Sequence, residues 1–203
     1  VDNIKSKYLK NISSDNKEKF ESNLKTIQKQ ITQIENLVNE FSDFARMPKP
    51  HIKNNNLNNV IKENISLISK LDKNIKIKLI NHLSKEVLIS FDLEQMNRLF
   101  FNLIKNSLES IQEKSKKDSK IDKNIDIEIR QRRDYININI IDTGVGFKNK
   151  TTKELIKPYF TTKEKGTGLG LSIVDKIISD HNGSIQFLNH KKGAKIQIIL
   201  PNK

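Results

Sequence analysis

The stretch DTGVGFKNKTTKELIKPYFTTKEKGTGLGLSIV, residues 142–174, carries two short glycine motifs on either side of a lysine-rich segment. The motifs, DTGVGF (142–147) and GTGLGL (166–171), hold five of the chain's seven glycines. Because glycine allows positive φ and close approach of a ligand, the pair predicts hinges of a flap over a phosphate-bearing ligand. The second motif leads into a predicted helix, whose N-terminal amides suit a phosphate chain. Ordinary turns between strands are the alternative for each motif.

A heavily apolar helix, predicted from Asp92 to Gln112 with Asp92 and Gln95 as its cap, gives an independent signal. Asn102, Asn106 and Glu109 share one face of it, at positions i, i+4 and i+7. Burying unpaired polar groups there is costly, so this face predicts buried partners or a polar ligand, with a solvated face as the alternative. Amide and carboxylate oxygens suit Mg²⁺ that bridges nucleotide phosphates.

The N-terminal part of the chain predicts one long helix. From Phe20 to Phe41 the apolar residues alternate in spacings of four and three, a heptad seam typical of a coiled coil or helical bundle. Asp15 and Glu18 predict a capping box at its start, and Pro48 predicts its end. Residues 1 to about 10 predict the tail of an earlier helix, which would make a hairpin. A helix packed on its own domain is the alternative.

The pattern after the prolines predicts an α+β domain, with the boundary near residue 50, so that we expect domains at 1–50 and 51–203. Further predicted helices are 57–71 and about 170–181, and predicted strands are 75–80, 87–90, 125–129, 135–141, 184–188 and 194–200. Residues 113–124 and 148–165 have few apolar anchors and predict mobile segments.

Composition excludes several classes of protein. The 203 residues, 35% hydrophobic and 30% charged, suffice for one sizeable domain and a smaller element. The absence of cysteine excludes disulfide scaffolds, thiolate zinc sites and cysteine nucleophiles. The net charge of +13 comes mainly from scattered lysines, without an arginine cluster or binding motif, so we expect no nucleic-acid partner. No run approaches the ~18 apolar residues of a membrane span, and VDNIKSKYLK (1–10) lacks the apolar core that a signal peptide needs.

Four motifs in order carry a resemblance to a known family. They are NLIKNSLESI (102–111), DTGVGF, PYFTTK (158–163) and GTGLGLSIV (166–174), and they resemble the N, G1, F and G2 boxes of the Bergerat ATP-binding fold. Sensor histidine kinases, DNA gyrase, heat-shock protein 90 and MutL share this fold. The resemblance covers roughly residues 55–201, although Ile196 stands where an aromatic is usual. It implies a Bergerat-type α/β sandwich preceded by a helical dimerisation hairpin, here truncated.

The resemblance also implies roles for single residues. Asp142 would accept the adenine amino group of ATP, and Gly144 and Gly146 would let the backbone pass against the base. Asn106 would ligate Mg²⁺, with Asn102 and Glu109 in support. The remaining ATP-binding residues implied are Phe160, Thr161, Thr162 and Lys163 of the lid, and Gly166, Gly168, Leu169 and Gly170 beside the phosphates.

One position favours a branch of the superfamily. ATP-hydrolysing members carry a glutamate one helical turn before the metal-binding asparagine, whereas Asn102 here cannot accept a proton. The resemblance therefore favours a sensor histidine kinase over a gyrase- or MutL-like ATPase clamp; a nucleotide-free dimerisation module is the third alternative. EFSDFARMPKP (40–50) resembles the second helix of the kinases' dimerisation and histidine-phosphotransfer hairpin, most closely in NtrY-type kinases.

The same resemblance implies a homodimer, an NtrX-like response regulator as partner, and ATP with Mg²⁺ as cofactors. It implies the cytoplasmic portion of a bacterial inner-membrane sensor, with any membrane segment outside these residues. The kinases' H-E-x-K/R-N-P segment is missing, and none of His51, His82, His181 and His190 lies in a matching motif. We therefore expect a phosphoacceptor histidine upstream of Val1 and no autophosphorylation by this chain alone.

Overall fold

The computed structural model describes residues 6–7, 14–82, 88–163 and 166–202. The chain divides into two compact units. One comprises Val1–Met47 with Thr162–Thr167, and the other comprises Pro48–Thr161 with Gly168–Lys203. Among the described helices, none combines the length and apolar character that a membrane crossing requires.

The first unit is built on one long helix, α1 (Ser14–Ala45). Asp15, predicted as its cap, lies inside the helix, and the helix ends before Pro48 as predicted. Most of the predicted heptad seam faces solvent, with side chains 44% to 59% exposed: Ile27, Ile31, Ile34, Val38 and Phe41. The predicted earlier helix falls largely outside the described residues.

The second unit is an α+β sandwich, as predicted. Its elements are β1 (Lys53–Asn56), α2 (Leu57–Leu71), β2 (Lys76–Asn81), β3 (Leu88–Phe91), α3 (Leu93–Ser115), β4 (Asn124–Gln131), β5 (Tyr135–Asp142), α4 (Thr152–Leu155), α5 (Gly170–Asp180), β6 (Ser184–Asn189) and β7 (Ala194–Pro201). Five strands form a mixed sheet in the order β2-β4-β5-β7-β6. The β2–β4 pair is parallel and the other three pairs are antiparallel. β1 and β3 form a separate antiparallel pair.

The core lies between the sheet and the helices α2, α3 and α5. Alternate side chains of the central strands point into it, as in β4, where Ile125, Ile127 and Ile129 are fully buried. Helix α3 lies in the middle, in contact with α2, α5, β4 and β5. Its buried residues recur as adjacent pairs every four residues and form one broad face, which is why its sequence is apolar beyond a narrow stripe.

Three features differ from the sequence prediction. Helix α3 continues to Ser115, so the segment 113–124, predicted as a mobile loop, begins as helix. Strand β1 has the sequence KNNN, which has low β-propensity, and it forms by pairing with β3. Helix α4 was not predicted, and a capping box between Thr151 and Glu154 begins it.

Asp92 begins α3, as the sequence predicts. Its Oδ1 accepts a hydrogen bond from the Gln95 amide at 2.9 Å, and its Oδ2 accepts one from the His51 amide at 2.7 Å. The Gln95 side chain does not complete the predicted cap; its Nε2 donates instead to the Pro48 carbonyl at 3.0 Å. Burial acts to raise the pKa of Asp92, but these amides and that of Glu94 outweigh it and hold the pKa below its usual value.

Replacing this cap destabilises the fold in a pH-dependent way. We expect Asp92→Ala to lower the free energy of unfolding by about 1–2 kcal/mol at pH 7, since both amides lose their acceptor. A carboxylate with a lowered pKa stabilises the fold above its unfolded-state pKa of about 3.9, and this contribution is lost as the pH falls through the lower folded-state pKa. The difference between variant and parent therefore shrinks below about pH 4.

Urea unfolding at a series of pH values measures this difference. Asp134→Ala, at an exposed residue of the β4–β5 turn, is the matched control and leaves the free energy of unfolding within about 0.5 kcal/mol. A deficit for Asp92→Ala that stays constant down to pH 3 contradicts the assignment.

Candidate nucleotide-binding site

The polar face of α3 lies at the edge of the core. Asn102, Asn106 and Glu109 are all partly exposed on this helix, as their spacing predicts. The Asn102 amide nitrogen donates to the Arg98 carbonyl at 2.9 Å. A Cβ placed on Gly170 would lie 3.2 Å from Asn102 Oδ1, so the first residue of α5 lies beside this face. The N-terminus of α5 and the asparagines therefore border the same space.

Asp142 is a buried carboxylate at the end of β5, with 3% of its surface exposed. Its Oδ1 accepts two backbone hydrogen bonds, from Gly144 at 2.8 Å and from Ala194 at 3.3 Å. Burial raises the pKa of Asp142, against the opposing effects of these amides, the Ser107 hydroxyl and the Lys114 ammonium. A carboxylate oriented in this way at a site edge is a specific acceptor for an N–H group.

The loop that follows Asp142 packs directly on α3. A Cβ on Gly144 would lie 2.2 Å from the Ser110 hydroxyl and 2.8 Å from the Ser110 backbone carbon, so no larger residue fits. The Val145 amide donates to the same hydroxyl at 3.0 Å. Gly144, which the resemblance places against the base, is therefore also required by its contact with α3. Gly146 adopts φ +70°, and its Cβ position would lie 3.0 Å from the Gly193 carbonyl.

The glycine motif before α5 lies against the end of the lid segment. Gly168 has φ +74°, and a Cβ there would lie 2.4 Å from the backbone carbon of Tyr159. Leu169 is buried, and as the N-cap residue of α5 it offers no side-chain oxygen to the first amides of that helix. Phe160 and Thr161 belong to the same unit as α5, whereas Thr162, Lys163 and Gly166 belong to the unit of α1.

Several residues at the site were not singled out from the sequence. Ser107 and Ser110 lie one and four residues after Asn106 on α3, and this helical spacing was the available signal. Lys114, in the last turn of α3, was not singled out either. The segment 189–193 was predicted as a turn between two strands, but not as part of the site. A pocket of about 460 Å³ opens beside the 142–147 loop; Lys114, Lys148 and Asn149 line it together with Gly144–Gly146 and the 189–193 turn.

The side chains on α3 would hold a metal ion only together with ligands from nucleotide phosphates. In the described ranges, no group of three His, Cys, Asp or Glu side chains is placed to hold a metal. The α3 face offers the amide oxygen of Asn106 near the carboxylate of Glu109, which itself lies 4.0 Å from the Lys105 ammonium. Such a sparse set of oxygen ligands suits Mg²⁺ when nucleotide phosphates and water supply the others.

Comparison with known proteins agrees with this geometry. Residues 91–203, which include every predicted site residue, match the family described as "Histidine kinase-, DNA gyrase B-, and HSP90-like ATPase". The nitrogen regulation protein NtrY of Azorhizobium caulinodans is 31% identical over 202 residues, which are 98% of this chain and 26% of that protein. Sporulation kinase A of Bacillus subtilis is 35% identical over 118 residues, 58% of this chain and 18% of that kinase.

The fold comparison points to the same family. The catalytic domain of histidine kinase ThkA superposes with a TM-score of 0.64 at 25% identity, over 75% of this chain and 98% of that domain. The chain thus spans about a quarter of NtrY and 18% of sporulation kinase A, yet covers nearly the whole of a kinase catalytic domain. The matched residues 91–203 include all four motifs quoted from the sequence. The chain belongs to the histidine kinase-, DNA gyrase B- and HSP90-like ATPase family, and it is a histidine-kinase ATPase domain homologous to sensor kinases such as NtrY.

Proposed function

We propose that this chain binds Mg-ATP beside α3 and transfers its γ-phosphoryl group to a histidine nitrogen. The bond between the γ-phosphorus and the β,γ-bridging oxygen breaks, ADP leaves with the electron pair, and a phosphorus–nitrogen bond forms. The phosphohistidine then donates to an aspartate of an NtrX-like response regulator. The observation that carries this proposal is Asp142, a buried carboxylate with Oδ1 held by two amides.

Asp142 is assigned to adenine recognition. The backbone hydrogen bonds from Gly144 and Ala194 both go to Oδ1, which orients the carboxylate so that its second oxygen is the acceptor for the exocyclic amine. The amide-rich start of α5 and Gly168–Gly170 are assigned to the phosphates, since eleven aligned peptide units favour negative charge at that end. The lid residues Thr161, Thr162 and Lys163 are assigned to the phosphates on the resemblance alone.

Asn106 would hold Mg²⁺ together with phosphate oxygens, and Asn102 and Glu109 would support it through water or direct contact. When bound, the ion neutralises charge on the phosphates. The protein's own contribution is to position the nucleotide on α3 and to keep the γ-phosphate from reacting with water. Asn102 has no basic oxygen and its nitrogen bonds the Arg98 carbonyl, so this turn of α3 offers no general base. This argues against an ATP-hydrolysing clamp.

The acceptor is proposed to be a histidine outside these residues. His181 is buried, with Nδ1 2.7 Å from the Ile177 carbonyl and Nε2 accepting from the Asp92 amide at 3.0 Å. His82 lies 3.1 Å from a Glu128 oxygen on the sheet edge. Both ring nitrogens of His181 are therefore engaged within the fold, and Nε2 of His82 pairs with a carboxylate on β4.

Replacing Asp142 tests the adenine assignment. We expect Asp142→Asn to fold normally, since its amide oxygen still accepts from Gly144 and Ala194. Loss of the anionic acceptor should weaken ADP binding about 10- to 100-fold, corresponding to a charged hydrogen bond. Isothermal titration with ADP and MgCl₂ measures this, and Asp134→Asn is the matched control. A dissociation constant within about threefold of the parent removes Asp142 from the site.

The proposed reaction also predicts what this chain does with labelled ATP. We expect binding of ATP with steady-state hydrolysis near background, because no base lies on the Asn102 turn. We expect no acid-labile phosphate on the chain itself, because its four histidines lie outside any phosphoacceptor motif. Incubation with γ-labelled ATP and separation under alkaline and acidic conditions measures both. Acid-labile labelling of the chain, or robust hydrolysis abolished by Asn102→Ala, contradicts the proposal.

We further propose that α1 mediates homodimerisation. Its seam presents five large apolar side chains to solvent, and such a heptad face buries itself against another helix. We expect sedimentation equilibrium to show concentration-dependent association that Ile31→Asp with Ile34→Asp weakens at least tenfold. The control is Leu67→Asp, at an equally exposed residue of α2. Association that survives the double substitution, or that Leu67→Asp disrupts equally, excludes the seam.

A further inference from the structure

Lys114 joins three parts of the nucleotide-binding unit. It lies in the last turn of α3, and its ammonium donates to the Thr143 carbonyl at 3.0 Å and to the Lys192 carbonyl at 2.8 Å. Thr143 belongs to the 142–147 loop and Lys192 to the 189–193 turn between β6 and β7. The Lys114 side chain thus links both the 142–147 loop and the 189–193 turn to the end of α3.

The 189–193 turn is what packs on the Asp142 carboxylate. A Cβ on Gly193 would lie 2.5 Å from the Asp142 carbonyl and 2.9 Å from its Oδ1, so the glycine backbone touches this residue. The next residue, Ala194, donates its amide to the same Oδ1 at 3.3 Å. The Phe147 amide also donates to the Asn189 side-chain oxygen at 3.0 Å, which joins the far end of the loop to the turn. A displacement of the 189–193 turn would therefore change the orientation of the Asp142 carboxylate.

The positive charge of Lys114 also favours the ionised form of the Asp142 carboxyl group. Burial raises the pKa of Asp142, and the nearby ammonium is among the groups that oppose this rise. A neighbouring pair, the Lys148 ammonium 3.8 Å from a Glu113 oxygen, also joins the loop end to α3 but is largely exposed. Exposed pairs contribute little. Lys114 is partly buried and donates hydrogen bonds to two carbonyls, so it holds the loop on α3 more strongly than the Lys148–Glu113 pair does.

We propose that Lys114 is a positioning residue for adenine recognition: it fastens the 142–147 loop and the 189–193 turn so that the Asp142 carboxylate faces the exocyclic amine of the nucleotide. The inference rests on the proposed role of Asp142. It assigns to Lys114 no contact with the nucleotide. Its effect is confined to ligands that use the Asp142 carboxylate.

A comparison of ADP with inosine diphosphate distinguishes a positioning role of Lys114 from a general structural role. ADP carries the exocyclic amine, whereas inosine diphosphate has a carbonyl oxygen there and cannot donate to Asp142. We expect Lys114→Met to weaken ADP binding about tenfold and to change inosine diphosphate binding by less than threefold, by isothermal titration with MgCl₂. Lys117→Met, at an exposed lysine just beyond α3, is the matched control and leaves both affinities unchanged.

Two results would overturn the inference: ADP affinity of Lys114→Met within threefold of the parent, or equal losses for both nucleotides. If Lys114→Met does not fold, by its circular dichroism and unfolding transition, Lys114→Gln replaces it and the same two results decide. Failure of the proposed function looks different, because the parent chain then binds the two nucleotides equally and Asp142→Asn has no effect. A parent that prefers ADP, with Asp142→Asn removing the preference and Lys114→Met leaving it intact, rejects Lys114 alone.

Discussion

Burial of α3 fixes the rotation of this helix about its own axis, and the positions of the site residues follow from it. Helix α3 buries completely the side chains of Met96, Leu99, Phe100 and Ile104. Each such side chain stabilises the buried arrangement by about 1.5–3 kcal/mol. Turning the helix by one residue, roughly 100°, would bring several of them into water. The face that carries Asn102 and Asn106 therefore has one orientation, with Asn102 beside the start of α5.

Local patterns were enough to predict most elements of the fold. The apolar periodicity of 57–71 predicted α2 with its observed bounds, and Asp92 was recognised as the cap of α3. The two glycine motifs indicated the loop after β5 and the start of α5, because glycine there reflects close backbone contacts that larger residues cannot make. The order of the four motifs then identified the family, which the match over 91–203 confirms.

Contacts between distant segments were beyond a reading of the sequence. Gln95 looked like a capping residue, but its side chain reaches Pro48, 47 residues earlier. Strand β1 exists only through its partner β3, since KNNN has no strand pattern of its own. Lys114 was part of a segment expected to be loop, and its role depends on carbonyls 29 and 78 residues later. Such pairings are set by the tertiary fold, and a charged residue at a helix end gives no local sign of them.

The side chain of His181 links the C-terminal end of helix α5 to another element of the fold. At its C-terminal end, His181 accepts a hydrogen bond from the Asp92 amide, which joins α5 to the start of α3. At the other end, Leu169 supplies no capping oxygen, and glycines precede the first turn. The helix is roughly 16 Å long, so its glycine end is far from the fastening at His181. A small tilt of α5 about the histidine would therefore displace its glycine end most, and the backbone amides at that end would move together as one group.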